Sequence, residues 1–147
     1  MLYPIGIQNF EKIRQGGFVY VDKTAQIYKL AATGDYYFLS RPRRFGKSLL
    51  VSTMEAYFQG RKELFKGLAI ESLEKNWTEY PVLHLDLTGS RYNSVDDLLV
   101  SLDQHLLAWE GKYGVDKVFD NPAARFKAVI EAAYRMTGQK VVILIDE

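Results

Sequence analysis

The amino-acid sequence predicts an α/β fold in which helices cover both faces of a parallel sheet. Three short segments rich in apolar residues read as strands, 36–39, 82–87 and 141–145. The first and last lack alternation, which is typical of strands buried on both faces. Segments with helical periodicity separate the three, in the order strand–loop–helix, strand–helix–helix, strand. Such long connections join parallel strands, whereas a tight turn joins only antiparallel neighbours.

A lead-in segment over 1–35 precedes the predicted core over 36–147. Residues 18–21 are rich in β-forming side chains and predict a short strand. Asp22 is a candidate N-cap for the helix that follows, and Gly34 is its expected end. We expect the lead-in to belong to the same domain as the core.

The core contains three longer predicted helices. The first covers 47–59, and short helices and turns follow over 61–80. Ser94 begins the second helix as an N-cap, and Asn121, placed before a proline, begins the third. Apolar residues recur at helical spacing on each, so we expect the stripe over 95–109 to face the protein core.

The composition excludes several classes of protein. The chain has 147 residues, of which 48% are hydrophobic and 25% charged, and its net charge is +1. This balance excludes a generally basic nucleic-acid binder and an acidic disordered tail. The chain has no cysteine, which excludes disulfides and cysteine metal sites. Its apolar runs are far shorter than the roughly 20 residues of a membrane span, and no signal peptide is evident, so we expect a cytoplasmic protein.

The loop after the first strand carries a phosphate-binding pattern. Residues 41–48 read Arg-Pro-Arg-Arg-Phe-Gly-Lys-Ser, and the last three match the end of G-x-x-x-x-G-K-[ST]. Gly46 would let the backbone turn closely, so that amides at the helix start face a phosphate. Lys47 would reach the β- and γ-phosphates, and Ser48 would be a Mg²⁺ ligand. A surface turn that only opens a helix is the alternative.

Two acidic residues follow the last strand and form the second half of a nucleotide-site signature. Asp146 would hold Mg²⁺ directly or through water, and Glu147 would orient and deprotonate an attacking water. The carboxyl ends of parallel strands meet at one edge of a sheet, where ligands bind. Combined with the Gly-Lys-Ser loop, this interpretation is favoured over an acidic pair in solvent. The candidate cofactor-binding residues are Arg41, Pro42, Arg43, Arg44, Phe45, Gly46, Lys47, Ser48 and Leu49. The candidate catalytic residues are Lys47 and Glu147, and the candidate metal ligands are Ser48 and Asp146.

These motifs resemble those of the AAA-ATPase-like proteins of gut and anaerobic bacteria. The resemblance lies in 20–24, in the block 38–50, in 64–70, in 77–82 and in the closing 144–147. It implies an ATP-binding P-loop domain with a three-layer α/β/α sandwich, of the additional-strand, catalytic-glutamate type. In that family the domain usually precedes a nuclease-like domain of the PD-(D/E)XK type. The chain thus resembles an N-terminal fragment that ends at the Walker B strand, with its core incomplete at the C-terminus.

The predicted function is Mg²⁺-dependent ATP binding, with ATP hydrolysis in the complete protein. ATP rather than GTP rests on the resemblance alone. One alternative is a nucleotide switch that binds without hydrolysis and controls an attached nuclease-like domain. Another is a nucleic-acid-binding module that uses the arginines of the loop. For these arginines a triphosphate cradle is favoured over a nucleic-acid patch or a solvated surface.

Two further positions have open interpretations. Residues 22–24 could pack near the adenine or sugar, as lead-in segments do in related ATPases, or Asp22 could simply cap a helix. Asp86, at the end of the second strand, could contact the magnesium or its water, or could be an ordinary polar strand end. Neither His84 nor His105 has partners at metal-ligand spacing.

Overall fold

The protein is a mixed α/β chain that divides into two compact units. A computed structural model describes residues 1–33, 46–87, 93–117 and 119–146. The first unit is Met1–Glu79 and the second is Tyr80–Glu147. The predicted strand over 36–39 lies outside the described residues. The division into lead-in and core at residue 35 stays a prediction.

The regular elements described in the first unit are helices, joined by turns and loops. Helix α1 packs on α3, and α2 packs on α4. The elements are α1 (Phe10–Gln15), α2 (Thr24–Thr33), α3 (Lys47–Phe58), a 3-10 helix (Lys62–Phe65) and α4 (Ala69–Leu73). The helix predicted over 47–59 and the short helices after it are confirmed. The strand predicted over 18–21 is wrong, because an isolated parallel bridge between Leu2 and Phe18 is the pairing found there. Short β-forming segments need a partner strand of matching length, and a single bridge does not make one.

An aromatic core holds the first unit together. The rings of Phe10 and Phe65 are fully buried with centroids 4.8 Å apart. Trp77 packs on Phe65 with centroids 5.2 Å apart, and Tyr57 meets Trp77 edge to face at 5.9 Å. Ile27 of α2 joins the same cluster. These contacts join the lead-in helices to α3 and to the short helices that follow it.

The second unit contains a parallel two-stranded sheet. Its elements are β1 (Val82–Asp86), α5 (Val95–Tyr113), α6 (Pro122–Thr137) and β2 (Val142–Asp146). The strands pair in register from Val82 opposite Val142 to Asp86 opposite Asp146. The predicted parallel pairing of the last two strands is therefore confirmed. Strand β1 ends one residue earlier than predicted, and both ends of β2 lie one residue later than predicted. The three-layer sandwich stays a prediction.

The helix starts of the second unit follow the predicted caps. The Ser94 hydroxyl accepts a hydrogen bond from the Asp97 amide at 3.3 Å. The Asn121 side chain accepts one from the Ala124 amide at 2.8 Å. Each cap satisfies an amide that the helix itself cannot pair, which fixes where the helix begins.

The core of the second unit lies between its helices and β1. Leu83, Leu106 and Val129 are fully buried within one cluster. The expected core stripe over 95–109 is wrong at its start, since Val95 is 72% exposed and Leu99 is 42% exposed. Helical periodicity identifies an apolar face but does not show what covers it.

An ion-pair network joins α5 to α6. The Arg125 guanidinium donates to both carboxylate oxygens of Glu110, at 2.7 and 3.3 Å, and also pairs with Asp103. The side chains of Arg125 and Glu110 are each only 15% exposed. These bonds hold the pKa of Arg125 above its usual value, despite burial. The forked geometry fixes how the two helices align.

Candidate functional site

Gly46 shapes the start of helix α3, where the phosphate-binding pattern ends. Its φ is +80°, in the left-handed region, and it is the N-cap residue of α3. Among the described residues, a Cβ added at this position would meet nothing within 4 Å, so the backbone conformation is what favours glycine. The positive φ agrees with the backbone turn expected at Gly46, and its role towards a phosphate stays a prediction.

The first turn of α3 is suited to an anion. The Leu50 amide donates to the Gly46 carbonyl at 2.9 Å, which closes the first helical turn. The amides that precede it have no carbonyl within the helix to bond, and the helix dipole adds positive charge there. This first turn contains no acidic side chain. Lys47 and Ser48 both lie in this turn. The first-turn amides, the positive end of the helix dipole and these two side chains therefore coincide, and each attracts phosphate.

Side chains further along α3 hold its start in place. Ser52 Oγ accepts from the Phe10 amide at 3.0 Å and donates to the Leu49 carbonyl at 2.9 Å. The buried Thr53 hydroxyl donates to the same carbonyl at 2.6 Å, and its side chain shares a hydrogen bond with Tyr20. Phe10 and Tyr20 of the lead-in thus form hydrogen bonds with α3 about one turn after the phosphate-binding pattern. Nothing in the sequence spacing indicated this contact.

Asp146 is a buried carboxylate at the end of β2. It is 3% exposed, and within the described ranges its Oδ1 is a buried oxygen without a hydrogen-bond partner. A buried polar oxygen without a partner is costly, and in native proteins it commonly marks an ion, a water or a catalytic role. An oxygen of this kind is the ligand that Mg²⁺ prefers.

The Asp146 carboxylate fits a magnesium ion that takes only part of its ligands from protein side chains. No group of three or more His, Cys, Asp or Glu residues is arranged for a metal in the part of the chain that the structure describes. Mg²⁺ in nucleotide sites takes one or two protein oxygens and completes its shell with waters and phosphate oxygens. Asp146 therefore suits an ion of this kind, and the described residues contain no closed cage of acidic and histidine side chains.

The structure places the predicted residues in two units. Gly46, Lys47, Ser48 and Leu49 lie in the first unit, where the Leu49 side chain packs against the aromatic core. Asp146 lies in the second unit. The remaining predicted residues lie outside the described residues, namely Arg41, Pro42, Arg43, Arg44, Phe45 and Glu147.

Asp22 has a structural role that the sequence only half predicted. Its Oδ1 accepts from the amide and the hydroxyl of Thr24, at 2.9 and 2.6 Å, which caps α2. Its Oδ2 accepts from the Ala69 amide at 2.7 Å, at the start of α4. Burial would raise the pKa of Asp22, but these hydrogen bonds outweigh it and lower the pKa. The capping interpretation is confirmed, and both carboxylate oxygens are used by backbone amides.

Comparison with known proteins supplies the family. The family model described as predicted AAA-ATPase matches residues 4–147. The chain belongs to this predicted AAA-ATPase family. Membership supports a general ATPase-like role.

One curated relative extends the comparison. An uncharacterized protein in the vnfD 5' region of Azotobacter chroococcum mcd 1 is 40% identical over 146 residues. The alignment covers 98% of this chain and 28% of the relative, so the chain spans little more than a quarter of that protein's length. No solved structure matches the chain. None of the helices in the described ranges is both long and apolar enough to cross a membrane.

Proposed function

We propose that this chain is a MgATP-binding P-loop domain whose complete protein hydrolyses ATP. The observation that carries the proposal is the buried Oδ1 of Asp146, an oxygen suited to a metal at the end of a parallel strand. The family match and the Gly46-Lys47-Ser48 helix start support it. The nucleotide fold is proposed as a three-layer α/β/α sandwich.

The binding roles follow from the chemistry of each group. The first-turn amides of α3 donate to phosphate oxygens, and the Lys47 ammonium neutralises charge on the β- and γ-phosphates. Ser48 and Asp146 would hold a magnesium ion, which would supply positive charge to offset the negative charge of the triphosphate. We propose that Arg41, Arg43 and Arg44 add charge neutralisation around the triphosphate.

The proposed hydrolytic step cleaves the bond between the β- and γ-phosphates. Glu147 orients a water in line with that bond and accepts its proton as the new phosphorus–oxygen bond forms. Lys47 stabilises the charge that moves onto the phosphate oxygens. We propose that the complete protein is cytoplasmic. Its substrates, an attached nuclease-like domain and any binding of nucleic acid are likewise proposals.

Calorimetry of ATP binding tests the proposal directly. ATP is titrated into the chain once with excess Mg²⁺ and once with EDTA. We expect Lys47→Ala to weaken binding under both conditions, because it removes a phosphate contact. Asp146→Asn should weaken binding only with Mg²⁺, because it removes a metal ligand. The exposed Lys117→Ala is the matched control and should bind like the parent. ATP binding that none of these substitutions alters would overturn the proposed site.

A phosphate-release assay separates hydrolysis from the switch hypothesis. Turnover that Glu147→Gln abolishes supports the ATPase. Tight MgATP binding without turnover, in this chain and in a full-length relative, supports a non-hydrolysing switch.

A further inference from the structure

Asp86 lies beside Asp146 at the carboxyl edge of the parallel sheet. The two residues are register partners, the last pair of the β1–β2 ladder. The Leu87 amide donates to the Asp146 carbonyl at 2.8 Å, so the pairing continues through this end of the sheet. Neighbouring strands lie about 4.8 Å apart, and register partners of a parallel pair project to the same face. Two carboxylates are therefore side by side on one face.

The two carboxylates differ in environment. Asp146 is 3% exposed and its Oδ1 has no hydrogen-bond partner in the described ranges, whereas Asp86 is exposed. Adjacent like charges repel one another, and a cation beside them relieves that repulsion. The buried Asp146 carboxylate is suited to bind an ion directly, where the ion has lost a water. The exposed Asp86 carboxylate is suited to accept hydrogen bonds from waters that the ion keeps.

The hydration of magnesium gives both carboxylates a role. The ion gives up its waters reluctantly and usually keeps several of them in nucleotide sites. Groups that hold the ligands of a metal tune its affinity strongly, although they do not touch it. A carboxylate beside such an ion therefore has bound waters within its reach.

We propose that Asp86 is a positioning residue of the magnesium site, where its carboxylate accepts hydrogen bonds from water ligands of the ion that Asp146 holds. This inference rests on the proposed function, because it requires that Asp146 binds the nucleotide's magnesium. It gives a role to a strand-end residue outside both halves of the nucleotide signature.

The test is the contribution of the metal to ATP affinity in Asp86→Asn. The ATP dissociation constant is measured by calorimetry with EDTA and with excess Mg²⁺, and the ratio of the two constants is the metal's contribution. We expect this ratio to fall about tenfold, as is typical when a group that holds a metal's ligands is removed. The constant measured with EDTA should stay at the parent value, since Asp86 does not contact the nucleotide. The exposed Asp116→Asn is the matched control for the loss of one carboxylate charge.

The outcomes separate this inference from the proposed function. If the parent binds ATP without any effect of Lys47→Ala or Asp146→Asn, the proposed site fails. If Asp146→Asn lowers the ratio and Asp86→Asn leaves it unchanged, only the role of Asp86 is overturned. Equal weakening with Mg²⁺ and with EDTA would show a structural disturbance and would also overturn that role. Asp86→Glu, which retains a carboxylate, should restore part of the ratio.

Discussion

Replacing Asp22 by alanine should release two helix starts at once. The side chain accepts hydrogen bonds from the Thr24 amide at 2.9 Å, the Thr24 hydroxyl at 2.6 Å and the Ala69 amide at 2.7 Å. Loss of a helix N-cap costs about 1 kcal/mol, so losing the caps of α2 and α4 should lower the free energy of unfolding by about 2 kcal/mol. For a chain of this size, the melting temperature should fall by roughly 4–8 °C.

The pH dependence of this loss has a definite sign. Because the folded-state pKa of Asp22 is lowered, its carboxylate contributes fully above the unfolded value of about 3.9. The contribution disappears as the pH falls through the folded-state pKa. The stability difference between the parent and Asp22→Ala should therefore be constant near neutral pH and should narrow below about pH 4.

Urea unfolding at pH 7 and across the acid range measures both effects. The exposed Asp116→Ala controls for the loss of one charge and should change stability by less than about 0.5 kcal/mol. An equally small change in Asp22→Ala would refute the double cap. A large loss of ATP affinity with unchanged stability would instead favour the adenine hypothesis for residues 22–24.

Three other substitutions have expected outcomes. Arg125→Met leaves the mostly buried Glu110 carboxylate without its forked partner, so the free energy of unfolding in urea should fall by about 2–3 kcal/mol. The control Arg135→Met, at an exposed position, should leave it nearly unchanged. A loss below about 0.5 kcal/mol in Arg125→Met would contradict the network's role. Gly46→Ala forces a side chain into the left-handed region and should lower the free energy of unfolding by about 1–2 kcal/mol. In calorimetry we expect about tenfold weaker ATP binding, from the loss of roughly one hydrogen bond. Unchanged ATP affinity in that variant would argue against a phosphate at this helix start. Leu83→Ala empties a fully buried position and should cost about 2–5 kcal/mol in the same unfolding assay, whereas a near-neutral result would contradict the assigned core.

Local signals in the sequence predicted much of the fold. Helix α6 begins at the Asn121 cap and ends at Gly138, as its terminal residues indicate. Strand β2 follows from an apolar run, and its parallel pairing with β1 follows from the helices between them. Each of these features depends on neighbouring residues or on the order of elements, which a single sequence contains.

Features that depend on distant contacts could not be predicted. The hydrogen bond that Oδ2 of Asp22 accepts from the Ala69 amide joins residues 47 positions apart, and no spacing rule connects them. Residues 18–21 have strand propensity, but a strand also needs a partner, and Phe18 makes only one bridge. The exposure of Val95 likewise depends on what covers the helix. At the candidate site, the motifs identified the residues, whereas the burial of Asp146 became visible only in the structure.

The melting temperature with and without MgATP tests the central claim most directly, in the parent chain, in Lys47→Ala and in the control Lys117→Ala. Ligand at 100 times its dissociation constant stabilises the folded state by about 2.7 kcal/mol, which is a rise of several degrees. The account predicts this rise in the parent and the control and its loss in Lys47→Ala. An equal rise in all three proteins would show that ATP binds elsewhere, and no rise in the parent would contradict nucleotide binding by this chain.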